Sequence, residues 1–281
     1  MNYRMLALSV DGSILKENGR MSRTTKEAIE FVQDKGVYVT LCSNRSHQQL
    51  EKIAKHLKIN HELISYGGGL IAGKADKPLH AARFPVEMAR DVAMELEHFS
   101  CQIVVEHEKF ELTNRQQQPQ NFLGKMTVSL SESLFSQSVV DHLSEHIDLH
   151  RIEPIRFRVH FETEELKAIA VKHLHERIPD VRILDLRLDQ TIYISTKQAT
   201  KAESLLFLGH ELGIRPEEIV ATGCKVGDEQ LLNSVGIGVA MGGSPPSVVS
   251  ASNWLTRSVD QNGLAYMIKE VFRKQMKVSL L

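Results

Sequence analysis

"MLALSVDGSIL", Met5 to Leu15, is a short apolar run that ends in Asp-Gly-Ser. It reads as a buried strand that runs straight into a tight turn, since its aliphatic residues suit a pleated interior and Asp-Gly-Ser suits a turn. Such a strand delivers one acid, Asp11, to its C-terminal edge, which is where a catalytic carboxylate belongs. Ser9 is the odd residue. It puts a hydroxyl two positions earlier, where a second carboxylate would be expected if the edge were built for chemistry.

The flanking segments repeat the pattern. Ser22 is placed to cap a helix from about Arg23 to Lys35, which stops at Gly36. "VYVTLCSN" (Val37 to Asn44) is a second apolar strand that ends in small polar residues, a helix follows from Ser46 to about Lys58, and "ELISYGGGLI" is a third strand with a glycine turn. The same style returns near the C-terminus: a helix from Lys201 to Leu212, the strand "EIVATG", a helix from about Asp228 to Val235 and the strand "GIGVAM". Alternating strands and helices with apolar strands predict an α/β, doubly wound parallel sheet covered on both faces.

The middle of the chain differs. From about Phe84 to Asp189, amphipathic helices (Val86 to Phe99, Ser136 to Ile147, Glu164 to Arg177) separate half-polar strands such as "IVVEHEKFEL" and "RFRVHFE", and the Gln-rich "NRQQQPQ" suits a surface loop. The expected organisation is an α/β core of residues 1–82 and 190–281, including the strand "QTIYIS", interrupted by an inserted α+β domain at 83–189.

Lys plus Arg number 34 against 35 Asp plus Glu, so no polybasic surface for nucleic acid or anionic lipid is implied. Cys42, Cys101 and Cys224 are far apart and odd in number, which fits a reducing cytoplasm better than a disulfide framework. The N-terminus has a strand pattern rather than that of a signal peptide. No apolar stretch approaches the roughly 20 residues that span a bilayer. A soluble cytoplasmic protein is expected, with no nucleic-acid or membrane partner; its oligomeric state is not legible.

In an open parallel sheet, ligands bind at the carboxyl ends of the strands. The first strand delivers Ser9, Asp11, Gly12 and Ser13 there, and the second delivers Ser43, Asn44 and Arg45. Lys201 stands at a helix start, and the loop after "VATG" supplies Gly223, Cys224, Lys225, Gly227 and Asp228. Hydroxyls, cations, two carboxylates and a turn rich in N–H groups at one edge suit a phosphate.

With these residues in hand, the chain resembles the haloacid dehalogenase superfamily, specifically its Cof-type phosphatases with a large inserted cap of the subclass called IIB. The likeness runs the full length, in motif order and cap position. Where the family opens with Asp-x-Asp-Gly-Thr, this chain has "SVDGS". The family's Ser or Thr before Gly-Arg is matched by "SNR", and its helix-start Lys by Lys201 in "QATKAESL". Gly-Asp-x-x-Asn-Asp is matched by "GCKVGD", the following strand by "VAMGGS", and the closing pattern by "NGL". The resemblance implies a Rossmann-type core, a cap that sets the substrate from across a cleft, and Mg²⁺-dependent hydrolysis of small phosphorylated metabolites.

It also implies that the chemistry is damaged. Ser9 stands at the position of the Asp nucleophile, which attacks phosphorus to form an aspartyl phosphate. Cys224 replaces a main Mg²⁺ ligand, Gly227 and Gly243 replace positioning Asn residues, and the Asn-Gly-Ala turn reads Gly67-Gly68-Gly69. The acid/base Asp11, the phosphate grips Ser43 and Lys201, and one acid, Asp228, survive; Gly12, Ser13, Asn44 and Arg45 remain to support the phosphate. Mg²⁺ asks for hard oxygen ligands, and a thiol at Cys224 is a poor one. Only Asp228 and the backbone carbonyl of Asp11 are left for the metal, and only Asp11 is near enough in sequence to take a proton from Ser9. The expectation is a site that holds an anion, in a phosphorylated ligand or a partner, and hydrolyses phosphate esters slowly or not at all. A phosphatase working through Ser9 or an activated water, and a structural role in an assembly, are the alternatives. His142, His146 and His150, spaced by four, suit a solvated helix better than a metal grip.

Overall fold

The computed structural model describes residues 2–75, 77–114, 138–186 and 189–278. Contacts divide the chain into one unit of Met1–His80 with Thr200–Leu281 and a second of Ala81–Ala199.

In the first unit, β1 (Met5–Ser9) is followed by α1 (Arg23–Asp34), β2 (Tyr38–Cys42), α2 (His47–His56), β3 (Leu63–Ser65), β4 (Leu70–Lys74) and β5 (Lys77–Ala81). Ser22 caps α1 as expected, its side chain accepting from the Thr25 N–H, and Ser46 with Gln49 forms a capping box on α2. The inserted segment supplies α3 (Val86–Glu97), β6 (Cys101–Glu106), β7 (Glu111–Thr113), β8 (Ser138–Val139), α4 (Leu143–Leu149), β9 (Arg156–Phe161), α5 (Glu164–Arg177), β10 (Val181–Asp185) and β11 (Thr191–Thr196). The chain then returns with α6 (Lys201–Glu211), β12 (Ile219–Gly223), α7 (Glu229–Asn233), β13 (Ile237–Ala240), α8 (Pro246–Ser250), β14 (Trp254–Leu255) and α9 (Gly263–Phe272).

The eight strands of the core sheet run in the order β14-β13-β12-β1-β2-β3-β4-β5. Those from β14 to β3 pair in parallel, and β4 turns back antiparallel on β3. One face buries Leu6, Leu8, Val39 and Val220 under α1, α2 and α9, through Ile29, Leu50 and Ile268 among others. The other buries Met5, Ala7, Ile219 and Ala221 under α6 and α7, through Leu205, Leu208 and Leu231. This is a doubly wound α/β core, and its central strands β1, β2 and β12 are mostly apolar because both faces are covered. Strand order reverses between β1 and β12, so the loops leaving these two strands diverge at a switch point suited to a ligand.

The second unit is a six-stranded sheet in the order β10-β11-β9-β6-β7-β8, whose core residues, such as Ile103, Phe157 and Ile194, pack with Ala93, Ile147 and Leu174 of α3, α4 and α5. Its architecture is the α+β type.

Several boundaries move. "QTIYIS", expected in the core, is β11 and pairs antiparallel with β9 and β10, so residues 190–199 belong to the inserted unit. Ile192 and Ile194 are buried while Tyr193 faces the other way, the period-2 mark of a half-covered strand. "IVVEHEKFEL" is a hairpin, turned by the His107 N–H bonding the Phe110 carbonyl at 3.0 Å. The helix expected from Ser136 begins only at Leu143, after β8. The Gln-rich loop lies, from residue 115 on, outside the described residues. Among those described, no helix is long and apolar enough to cross a membrane.

Candidate functional site

β1 ends at Ser9, and the chain turns at once. The Val10 carbonyl accepts from the N–H groups of Ser13, Ile14 and Leu15, and the Gly12 N–H bonds the Leu15 carbonyl at 3.0 Å. Gly12 has φ +80°, and a Cβ there would stand 2.5 Å from Cys224 Sγ, so glycine is required by conformation and by the thiol packed against it. These turn N–H groups, expected to cradle a phosphate, are thus spent inside the turn.

Ser9 is 3 % exposed, and its hydroxyl donates to Asp228 Oδ2 at 3.1 Å. The proton acceptor beside Ser9 is therefore Asp228, where sequence proximity pointed to Asp11. Asp228, itself 0 % exposed, also receives the Lys201 ammonium on Oδ1 at 2.7 Å, and the Cys224 and Lys225 N–H groups on Oδ2 at 2.9 and 3.1 Å. Three donors thus converge on Oδ2 and one, the ammonium, on Oδ1. Lys201, expected as a phosphate grip, is the counter-ion of this carboxylate.

Asp11 looks the other way. Both of its oxygens meet Arg45, at 2.6 Å from Nη2 and 3.1 Å from Nε at the shortest contacts. Ser43 Oγ accepts the Arg45 N–H at 3.2 Å, which leaves its own hydroxyl proton to be donated elsewhere. Asn44 lies behind the glycine turn: a Cβ on Gly67 would come within 2.9 Å of Asn44 Oδ1. Gly68, with φ +106°, packs its backbone on Thr200 and Lys201 at the start of α6, and the Ser204 hydroxyl donates to the Gly68 carbonyl at 2.7 Å. Glycine at 68 is a packing requirement at this contact. Ser13 Oγ is buried without a hydrogen-bond partner among the described residues.

Desolvation pushes the Cys42 thiol up to about 12, with Lys201 opposing and Asp228 assisting. Burial likewise raises Cys224, against a hydrogen bond from Ser244 and the charge of Lys225. Neither is a thiolate at neutral pH.

These residues do not make the donor set of a Mg²⁺ site. Both Asp228 oxygens are engaged, Oδ1 by an ammonium and Oδ2 by three donors, Ser9 turns its proton toward that carboxylate, and Cys224 presents a protonated, soft sulfur. Among the described residues, no group of three or more His, Cys, Asp or Glu side chains could hold a metal ion. His142 precedes α4 as its N-cap, and the His146 and His150 rings stand 4.3 Å apart.

The structure thus brings Ser9, Lys201, Cys224 and Asp228 into one buried cluster and Asp11, Ser43 and Arg45 into a second. Sequence reasoning placed Lys225 among the cations of this edge but not among its named phosphate-binding residues. It follows Cys224 directly in the loop, and Cε lies 3.7 Å from where a Gly12 Cβ would be. Among the described residues it has no carboxylate partner, a three-dimensional fact with no sequence signal.

Known proteins match this chain in sequence and in fold. A family model described as haloacid dehalogenase-like hydrolase matches residues 6–268. "Stress response protein YhaX" of Bacillus subtilis is 34 % identical over 284 residues, covering 100 % of this chain and 97 % of that protein. "Phosphatase YwpJ", also of Bacillus subtilis, is 24 % identical and covers 95 % of this chain and 99 % of its own. Among solved structures, a haloacid dehalogenase-like hydrolase from B. subtilis superposes with a TM-score of 0.82 at 21 % identity, over 96 % of this chain and 100 % of that one. A subclass IIB sugar phosphatase gives 0.78 at 20 % identity, over 95 % and 98 %. A family match across nearly the whole chain, on a core with this switch point and this insertion, leaves one assignment: the chain belongs to the haloacid dehalogenase-like hydrolases, in their Cof-type branch.

Proposed function

We propose that this protein is a catalytically silenced member of its family that works by binding a small phosphorylated ligand. The observation that carries this reading is the enclosure of Asp228. Its two oxygens are occupied by Lys201, Ser9 and two backbone N–H groups, so the one acid left in the fourth motif is committed to the fold. A hydroxyl stands where the family has its nucleophile, and it is a weak one unless its proton is removed. Asp228, which accepts the Ser9 hydrogen bond, already holds the Lys201 ammonium. The names of relatives support the ligand class, since several are phosphatases, while the relative at 34 % identity is named for a stress response. Three buried free cysteines support a reducing compartment such as the cytoplasm.

A second reading, a metal-independent phosphatase, draws on the 3.1 Å hydrogen bond from Ser9 to Asp228, the contact a nucleophile and base need. A panel of phosphorylated metabolites assayed with Mg²⁺ and again with chelator separates the two. The binding reading expects no turnover in either arm. Turnover on the order of 1 s⁻¹ that vanishes with chelator overturns it, and turnover that survives chelator and is lost in Ser9→Ala establishes the second.

A further inference from the structure

Three cations, Lys201, Arg45 and Lys225, stand at this edge with Asp228, Asp11 and Glu229, the last accepting the Gly227 N–H and the Ser247 hydroxyl. Lys201 is paired with Asp228 and Arg45 with Asp11. The Lys225 side chain, half-buried in the loop after β12, has no carboxylate partner among the described residues. Lys225 is therefore a cation of this edge that is not already bound to a carboxylate among the described residues.

The two ion pairs differ in how readily they can be given up. The Lys201 and Asp228 side chains are 6 % and 0 % exposed, so moving the ammonium to a ligand would leave a buried carboxylate uncompensated, the costly case. Asp11 is 43 % exposed and Arg45 22 %; water takes up the Asp11 charge when the pair opens, so the exchange costs little. Arg45 also keeps its backbone fixed without Asp11, since its N–H bonds Ser43 Oγ and its carbonyl accepts from the Tyr66 N–H at 2.9 Å. Both mobile cations flank one loop: Arg45 reaches it through Asp11, and the Lys225 stem lies over Gly12. A guanidinium fork matches two oxygens of a phosphate, and an ammonium adds a point charge to a third.

We propose that Arg45 and Lys225 form the anion receptor of this protein, taking a phosphate monoester or inorganic phosphate at the rim beside Gly12. Asp11 occupies Arg45 until the ligand displaces it, and Lys201 stays on Asp228. This rests on the reading of the protein as a phosphate binder and relocates the ligand from the buried floor to the rim.

Calorimetric titration of the full chain with inorganic phosphate, free of divalent cations, tests it. Lys225→Met is expected to weaken binding at least about tenfold with an unchanged melting temperature, because a half-exposed side chain without an ion pair is removed. Asp11→Asn is expected to tighten binding, because it frees Arg45, and Asp11→Asn with Arg45→Met is expected to lose that gain. A Lys225→Met protein that binds phosphate as tightly as the parent, or an Asp11→Asn protein that binds no tighter, overturns the rim receptor and leaves the wider reading in place. Absence of binding heat from both the parent and Asp11→Asn overturns both.

Discussion

The Lys201 ammonium donates to Asp228 Oδ1 at 2.7 Å, and both side chains are shut away from water. The pair joins the start of α6 to the loop before α7, and Ser9 of β1 hydrogen-bonds the same carboxylate. Three segments from distant parts of the chain thus share one buried charge.

Removing one partner of such a pair is far worse than removing both. Lys201→Met is expected to cost about 3 to 5 kcal/mol by leaving Asp228 uncompensated. Lys201→Met with Asp228→Asn should recover most of that loss. Urea denaturation of the two variants measures it. A single variant as stable as the parent would show that Asp228 carries no charge needing Lys201.

The glycine turn gives a sharper steric test. A Cβ on Gly68 would overlap the Thr200 carbonyl and stand 2.7 Å from the Lys201 nitrogen, at φ +106°. Gly68→Ala is expected to cost about 3 kcal/mol or more. Gly243 also has positive φ, at +91°, but has open space around it, so Gly243→Ala should cost only about 1 to 2 kcal/mol. Thermal unfolding of both variants checks the order, and equal losses would contradict the packing described at Gly68.

Much of this was legible in the sequence, and the reason is local. The apolar runs that end in small polar residues marked β1, β2 and β12, and the residues that follow each strand arrive at one edge by topology alone. Side-chain pairing was not legible. Ser9 and Asp228 lie 219 positions apart, and nothing in the order of residues says that four donors divide the two oxygens of Asp228. Asp11 was the nearer acid by sequence, yet its position at the start of the turn gives it to Arg45. β11 was misplaced because its mean apolarity resembles a core strand, although its alternation does not.

His47 gives the stability a pH dependence. Burial pushes its imidazole down to about 4, below the ordinary value near 6.5. The unfolded chain therefore takes up a proton at this residue before the folded one does. Its contribution is fully present above about pH 6.5 and is lost as pH falls toward 4, on the order of 3 kcal/mol in all. Denaturation midpoints across that window should fall with acid, and less steeply in His47→Gln. An identical slope in the variant would place the acid sensitivity elsewhere.

The thiols should be inert. Cys42 is pushed up to about 12 and Cys224 is also raised by burial, so neither offers a thiolate at neutral pH. Iodoacetamide on the native protein, followed by peptide mass analysis, is expected to leave both unmodified while the unfolded protein is labelled. Rapid native labelling of Cys224 would mean that the thiol is freed from its place against Gly12.

The central claim is that Ser9 and Cys224 stand where carboxylates would make a metal site, and that their replacement has closed it. Calorimetric titration of Mg²⁺ into the parent and into Ser9→Asp with Cys224→Asp tests it most directly. The double variant places two further acids beside Asp228. It should be less stable than the parent without metal and should gain stability as Mg²⁺ binds the folded state, while the parent gives no binding heat. A parent that binds Mg²⁺ as well as the double variant would contradict the account.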